Sequence, residues 1–236
     1  LDEKNELGGS TIFETNEDNK INNKVTSEWL KKEISELKNI KNLEIKTRTS
    51  VAAYHQYNYL LARENLTDHL EKKDKKNKIR QRLLKIRAKK VILATGALER
   101  PLIFNNNDRP GIMLSSAIKK YSNYYGVACG RKTIFFTNND SGYESALSLH
   151  NKGIKVEAII DIRENSNAKI IKKINDAGIK IYWSYTIIDT SGYKRLSDVS
   201  IMKLSNDGTS VTGSKISIAC DCLGIAGGWT PAVHLY

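Results

Sequence analysis

The chain has 236 residues, 40% of them hydrophobic and 27% charged, a balance that excludes wholesale disorder and suits one large domain or two small ones. Its net charge of +12 permits an anionic partner without naming one. Three cysteines are too few for a disulfide scaffold and point to a reducing compartment, no signal-peptide pattern opens the sequence, and no apolar run approaches the ~18 residues of a membrane-spanning helix.

Trp29, Leu30, Ile34, Leu37 and Ile40 recur at helical spacing and predict an amphipathic helix over 29–41. Leu43, Ile45 and Thr47 then alternate with charged residues as a strand. Residues 49–63, with Val51, Tyr54, Tyr57 and Tyr59, predict a strand pair. Residues 82–88 alternate apolar with basic, as on a half-exposed strand. The apolar run 90–96 is expected to be a buried strand entering a tight turn. Pro101, Arg109-Pro110-Gly111 and Gly126 punctuate a connector whose helical part spans 112–125.

Residues 132–137 predict a buried strand, 141–151 a helix closed by Gly153, and 156–161 a strand. A helix over 168–177 and a strand over 179–183 complete the alternation. That order implies a doubly wound parallel sheet covered on both faces. Three later strand-like runs, 186–190, 197–204 and 215–225, imply an attached antiparallel layer.

The basic excess is local. Residues 72–90 hold eleven Lys or Arg and one acid, Asp74, and so carry +10 of the net charge. Such a stretch serves as a patch for nucleic acid or an acidic partner, or as a solvated hairpin tip with a basic outer face. No aromatic residue interleaves it, so the stacking that holds bases is absent and a nucleic-acid partner is not expected.

Four constellations could carry chemistry. Asp2 and Glu3 precede Leu7-Gly8-Gly9-Ser10. In dinucleotide folds an acid at a strand end accepts hydrogen bonds from the adenosine ribose, and nearby glycines let the backbone pass the cofactor. An acid before Gly-Gly is equally an ordinary turn. Val91-Ile92-Leu93-Ala94-Thr95-Gly96-Ala97 is an apolar run ending in small residues, as where a chain crosses near a cofactor. Thr137-Asn138-Asn139-Asp140-Ser141-Gly142 stands where a dinucleotide-binding turn should read G-x-G-x-x-G. Only Gly142 survives, Asp140 adds a negative charge, and Asp161 could still hold a ribose. This half reads as one that has lost nucleotide binding. Cys220-Asp221-Cys222 runs into Gly227-Gly228-Trp229-Thr230-Pro231 as a second glycine crossing. On one strand the two thiols would share a face. The four His residues are scattered in sequence, so no metal site and no nucleophile triad is expected.

In this order the pieces resemble the alpha subunit of heterotetrameric sarcosine oxidase. The resemblance rests on Asp2-Glu3 with Leu7-Gly8-Gly9-Ser10, Arg48-Thr49 with Val51, Thr67-Asp68-His69-Leu70, Ala94-Thr95-Gly96-Ala97-Leu98-Glu99-Arg100-Pro101, Asn107-Asp108-Arg109-Pro110-Gly111, Phe136-Thr137-Asn138-Asn139-Asp140, Cys220-Asp221, and Gly227-Gly228-Trp229-Thr230-Pro231-Ala232-Val233-His234-Leu235. It implies an α/β, glutathione-reductase-like pair of dinucleotide-binding domains (FAD/NAD(P)-binding). It divides the chain into 1–96 (first domain), 97–227 (an inserted Rossmann-like domain) and 228–236 (return to the first).

The same resemblance implies NAD as the cofactor, with Asp2 and Glu3 at the ribose, Lys4 and Ser10 as neighbouring contacts, Val51 beside the adenine, and Ala94, Thr95 and Gly96 at the crossing. It implies FAD and FMN mainly on a beta subunit, which also takes the amine substrate, and tetrahydrofolate bound by a further region of the alpha subunit. Beta, gamma and delta subunits are the expected partners, in a bacterial cytoplasm. No catalytic residue is expected here. The upstream glycine turn of the family has no counterpart in these residues, so the chain is expected to be an internal fragment, inactive and weak toward NAD by itself. A related amine or opine dehydrogenase subunit and a non-catalytic basic binding module are the alternatives.

Overall fold

A computed structural model of the chain describes residues 1–14, 20–166 and 169–235. It forms two units, Leu1–Gly96 joined by the last residues from Pro231, and Ala97–Thr230.

In the first unit a 3-10 turn (Gly9–Phe13) precedes the short hairpin β1 (Lys20–Ile21) and β2 (Lys24–Val25). Asn22 and Asn23 turn it with φ of 49° and 62°, which asparagine tolerates. The first helix, α1, is Thr26–Lys38 rather than 29–41. Its first turn is polar, with Glu28 near the positive end of the helix dipole, so apolar periodicity alone starts it late. Next comes an antiparallel sheet of β3 (Thr49–His55), β4 (Tyr59–Asn65) and β5 (Gln81–Arg87), in that order. The β3–β4 turn places Tyr57 and Asn58 at φ of 60° and 53°. On β5 the basic side chains Arg82, Lys85 and Arg87 are exposed while Leu84 and Ile86 are half-buried, as the alternation predicts.

Two expected strands of this unit are absent. Residues 43–47 form no regular strand, although Lys46 accepts a backbone hydrogen bond from Asp2. Residues 90–96 are irregular and mostly exposed, Ile92 by 92%. A strand exists only by pairing, and no described strand lies beside this run.

The second unit begins with β6 (Ala97–Glu99), β7 (Ile112–Leu114) and α2 (Ser115–Tyr125). The expected helix over 112–125 thus opens with three strand residues. Then come β8 (Lys132–Thr137), α3 (Ser141–His150), β9 (Lys155–Asp161), α4 (Lys169–Asp176) and β10 (Lys180–Trp183). The expected α4 start, Ala168, lies outside the described residues. Next follow β11 (Tyr185–Ser191), β12 (Asp198–Leu204), β13 (Val211–Ala219), β14 (Cys222–Ala226) and β15 (Trp229–Pro231), the last pairing with β6.

Five strands in the order β10-β9-β8-β14-β7 make a wholly parallel sheet. The run 215–225 is therefore two strands in two sheets. The break falls at Asp221, whose Oδ1 accepts the backbone N–H of Arg131 and of Lys132 at 2.8 Å each.

The parallel sheet is buried on both faces, as its near-continuous apolar strands require. Phe135, Ile159 and Cys222 pack against Ile118, Tyr143, Leu149 and Ile174 of the three helices. On the opposite face Ile134, Phe136, Ile160, Leu223 and Ile225 meet Ile187, Val199 and Ile201 of the antiparallel sheet β11-β12-β13. Each such fully buried side chain contributes about 1.5–3 kcal/mol. Gly224 lies at the centre, where a Cβ would stand 2.6 Å from the Phe135 ring, so only glycine lets helix α2 and that ring close over β14. Cys220 belongs to one core and Cys222 to the other, so the thiols do not share a face.

Candidate functional site

The sequence-predicted cofactor residues of the first unit fall into two groups. Asp2 is held through its backbone. Its N–H donates to Lys46 O and its carbonyl accepts from Thr49 N, both at 2.8 Å, while Lys4 O accepts from Arg48 N at 2.7 Å. Residues 2–4 therefore run beside the start of β3, the strand that also carries Val51. The half-buried Asp2 carboxylate accepts the Lys4 N–H at Oδ1, 2.8 Å away, and its second oxygen accepts no hydrogen bond among the described residues. A backbone-anchored carboxylate with a free oxygen is suited to accept from a vicinal diol. Glu3 and Lys4 are exposed beside it, and Ser10 is exposed on the 3-10 turn.

Ala94, Thr95 and Gly96 form the second group. Thr95 Oγ1 donates to Ala232 O at 2.6 Å, and Gly96 O accepts from Ala232 N at 3.0 Å. All three are exposed, and among the described residues no hydrogen bond ties them to residues 2–10.

Arg48 ties its own motif to Thr67-Asp68-His69-Leu70 through Asp68, and neither of these two residues carried an assigned role. Its backbone adopts φ 54°, and its Nη1 lies 2.8 Å from Asp68 Oδ2, with His69 Nδ1 3.3 Å from the other oxygen. Desolvation pushes the Asp68 carboxyl up, but the His69 and Arg48 hydrogen bonds outweigh it and hold it below the usual carboxylate range.

In the second unit the turn after β8 is filled by the chain itself. Thr137 and Asn139 occupy the first two glycine positions of the G-x-G-x-x-G pattern. Asn139 Nδ2 donates to Ala226 O at 2.9 Å and to Asn138 Oδ1 at 2.8 Å, and its Oδ1 accepts from Ser141 N at 3.0 Å. Thr137 Oγ1 donates to Asn139 O at 2.7 Å. A helix N-terminus binds phosphate through its unpaired N–H groups. Here the Ser141 N–H is taken by Asn139 and the Tyr143 N–H by Asp140 O at 3.1 Å. Gly142 retains one family role. Its missing Cβ would stand 2.7 Å from the Thr137 side chain, so glycine still permits close helix–strand packing.

Asp161 is not available to a ribose. It is fully buried, and its oxygens accept from Tyr143 Oη at 2.7 Å, Arg163 N at 2.8 Å, Arg163 Nε at 3.1 Å and Arg163 Nη2 at 2.8 Å. The same guanidinium reaches Asp140 Oδ1 at 2.9 Å. Burial first and the Asp161 carboxylate second push the Tyr143 hydroxyl pKa up. Arg163 was missed as a site residue. The signal was its spacing, two residues past a strand-end acid, where it folds back over that acid.

Sarcosine oxidase subunit alpha of Corynebacterium sp. (strain P-1) is 35% identical over 238 residues, covering 100% of this chain and 24% of that protein. The same subunit of Rhizobium meliloti (strain 1021) is 33% identical over 235 residues, covering 100% of this chain and 22% of its own length. The chain thus spans about a quarter of the curated relatives it matches. No family model matches it. Among solved structures, T. acidophilum thioredoxin reductase superposes with a TM-score of 0.69 at 18% identity, over 99% of this chain and 69% of that one. L-proline dehydrogenase from P. horikoshii superposes with a TM-score of 0.61 at 20% identity, over 98% and 37%. The fold is that of the FAD/NAD(P)-binding oxidoreductases, an α/β fold with a parallel sheet. Among the described residues no helix is long and apolar enough to cross a membrane.

Proposed function

We propose that this chain, a relative of sarcosine oxidase alpha subunits along its whole length, is the NAD-holding part of such a subunit. The complex it serves oxidises sarcosine to glycine, with the methyl carbon released as formaldehyde or passed to tetrahydrofolate. The observation that carries the reading is the Asp2 carboxylate, anchored through its backbone at the start of β3, the strand that carries Val51, with one oxygen that accepts no hydrogen bond among the described residues.

The donor set fits the adenosine half of a dinucleotide. Asp2 and Glu3 accept from ribose hydroxyls, Val51 offers apolar contact to the adenine, Lys4 and Ser10 contact the nucleotide, and residues 94–96 provide a small-residue crossing. When bound, NAD supplies a hydride acceptor. This chain's own residues bind and orient it, and none is assigned a proton-transfer step. The filled turn at residues 137–142 argues against a second nucleotide in the second unit. FAD, FMN and the amine site are assigned to a beta subunit, tetrahydrofolate to another region of the alpha subunit, and gamma and delta subunits complete a cytoplasmic complex.

The test uses the full-length protein in its complex. Nucleotide released on denaturation is measured by chromatography. Asp2→Ala with Glu3→Ala is expected to lower NAD content at least tenfold, and Asp140→Asn to leave it unchanged. Full NAD in the double variant would overturn the assignment.

A further inference from the structure

The second unit holds a broad cavity of about 560 Å³, wide open to solvent, at the N-terminal edge of its parallel sheet. Lys132, which begins β8, lines it, whereas Thr137 at the other end of β8 opens the filled turn. The two places lie about 17 Å apart, at ~3.3 Å per strand residue, so the cavity is separate from the filled turn, and the inference drawn from it does not rest on the function proposed above.

Its floor is apolar, formed by the buried Leu196 and Cys220. Its rim is basic, with Arg131, Lys132, Lys194 and Arg195 exposed. Asp221 is the one acid in the lining. Its Oδ1 is already taken by two backbone N–H groups at 2.8 Å, and its Oδ2 lies 3.8 Å from Arg195. Arg131, Lys132 and Lys194 have no carboxylate partner among the described residues. The rim therefore keeps a net positive charge, and Tyr193 stands beside it 94% exposed, a side chain of the type that anchors interfaces.

The walls are fixed. Leu196 N donates to Pro110 O at 2.8 Å and Ser197 N to Ser191 O at 2.9 Å. The Arg109 guanidinium donates to Gly192 O and, at 3.4 Å, to Thr190 O, holding the loop from behind. A cavity held in shape before binding loses little entropy on binding. Its volume falls in the range of ~300–1,000 Å³ typical of ligand sites, far above what one inorganic anion needs.

We propose that this cavity docks an acidic segment of a partner protein: an extended stretch whose Asp or Glu carboxylates meet the basic rim while one apolar side chain enters the floor over Leu196 and Cys220.

The test is fluorescence anisotropy with the full chain and a fluorescein-labelled pentapeptide of four glutamates around a central phenylalanine. The peptide is expected to bind, and to bind more weakly as salt rises. Lys194→Glu with Arg195→Glu should weaken binding at least tenfold, and replacing the phenylalanine by serine should weaken it several-fold. Lys73→Glu with Lys75→Glu, in the other basic stretch, should leave it unchanged. Circular dichroism checks folding, and the milder Lys194→Gln with Arg195→Gln replaces the reversal if that misfolds. Four results would each overturn the proposal: no binding up to millimolar peptide, binding indifferent to the rim variants, equal loss in the Lys73 and Lys75 variant, or displacement by inorganic phosphate beyond that of NaCl at equal ionic strength, which would mark a small-anion site.

Discussion

The Arg163 guanidinium closes over the Asp161 carboxylate, with Nη2 2.8 Å from Oδ2 and Nε 3.1 Å from each oxygen. Since Asp161 ends the strand after the first βα turn, this pair sits where a dinucleotide fold would hold its ribose. The carboxylate is spent inside the protein, and the pair is a structural clamp between β9, the α3 turn through Asp140, and Tyr143.

Arg163→Ala removes the clamp and leaves the Asp161 carboxylate with only the Tyr143 hydroxyl and one backbone N–H. Breaking a buried pair from one side costs about 3–5 kcal/mol, because the remaining charge is uncompensated. Arg163→Lys keeps the charge and loses the bidentate geometry, and should fall between. Urea unfolding of both variants checks this. A midpoint for Arg163→Ala equal to the parent's would show that the pair does not stabilise the unit.

The cysteines should react in a fixed order. Burial pushes the Cys220 and Cys222 thiols up to about 12, and they pack in different cores. Cys129 is half-buried, with its thiol raised by burial. A thiolate is the reacting species, so iodoacetamide near neutral pH should label Cys129 first and the other two only after unfolding. Peptide mass spectrometry reads the order, and early labelling of Cys222 would contradict the packing.

Asp207 titrates low. Its carboxylate accepts from Ser205 Oγ at 2.5 Å, Thr209 Oγ1 at 2.7 Å and Thr209 N at 3.2 Å, which lowers its pKa from 3.8 to about 2. The folded value lies below the unfolded one, so the loop's stabilisation is present above the unfolded pKa and is lost as pH falls toward 2. Carboxyl chemical shifts followed by NMR from pH 6 downward should show a midpoint well below that of an unpaired aspartate. Ser205→Ala should move it back up.

How far the sequence was legible depended on whether each signal was local. β8 matched its expected 132–137 because one apolar run coincides with one central strand. β7 was hidden because Ile112, Met113 and Leu114 continue the apolar spacing of α2 and become a strand only by lying along β14. The run 215–225 gave no sign of its break, which is set by Asp221 capping the N–H groups of Arg131 and Lys132, about ninety residues earlier. Residues 90–96 have strand composition but no neighbouring strand among the described residues. At the candidate site, Asp2 and Gly142 were visible as residue types. That Asp161 is sealed was not, since it needs Tyr143 and Arg163 to converge in space.

The filled turn makes a sharper prediction. Restoring a glycine is the obvious way to reopen a dinucleotide site, yet Asn139→Gly should destabilise the chain and gain no NAD. The side chain accepts the Ser141 N–H and is one of three donors to Ala226 O, beside Thr137 Oγ1 and Asn138 N; removing it takes the partner from the Ser141 N–H, at about 1–3 kcal/mol where that group is buried. Glycine's greater unfolded freedom adds about 0.5–1 kcal/mol. Asp140 and the sealed Asp161 stay in place, so neither the phosphate charge nor the ribose finds a donor set. Thermal unfolding should fall by several degrees, and calorimetric titration of the chain with NAD should show no micromolar binding, before or after the change. Micromolar binding gained by Asn139→Gly would mean that this turn is a nucleotide site held shut by one side chain, and would move the cofactor from the first unit to the second.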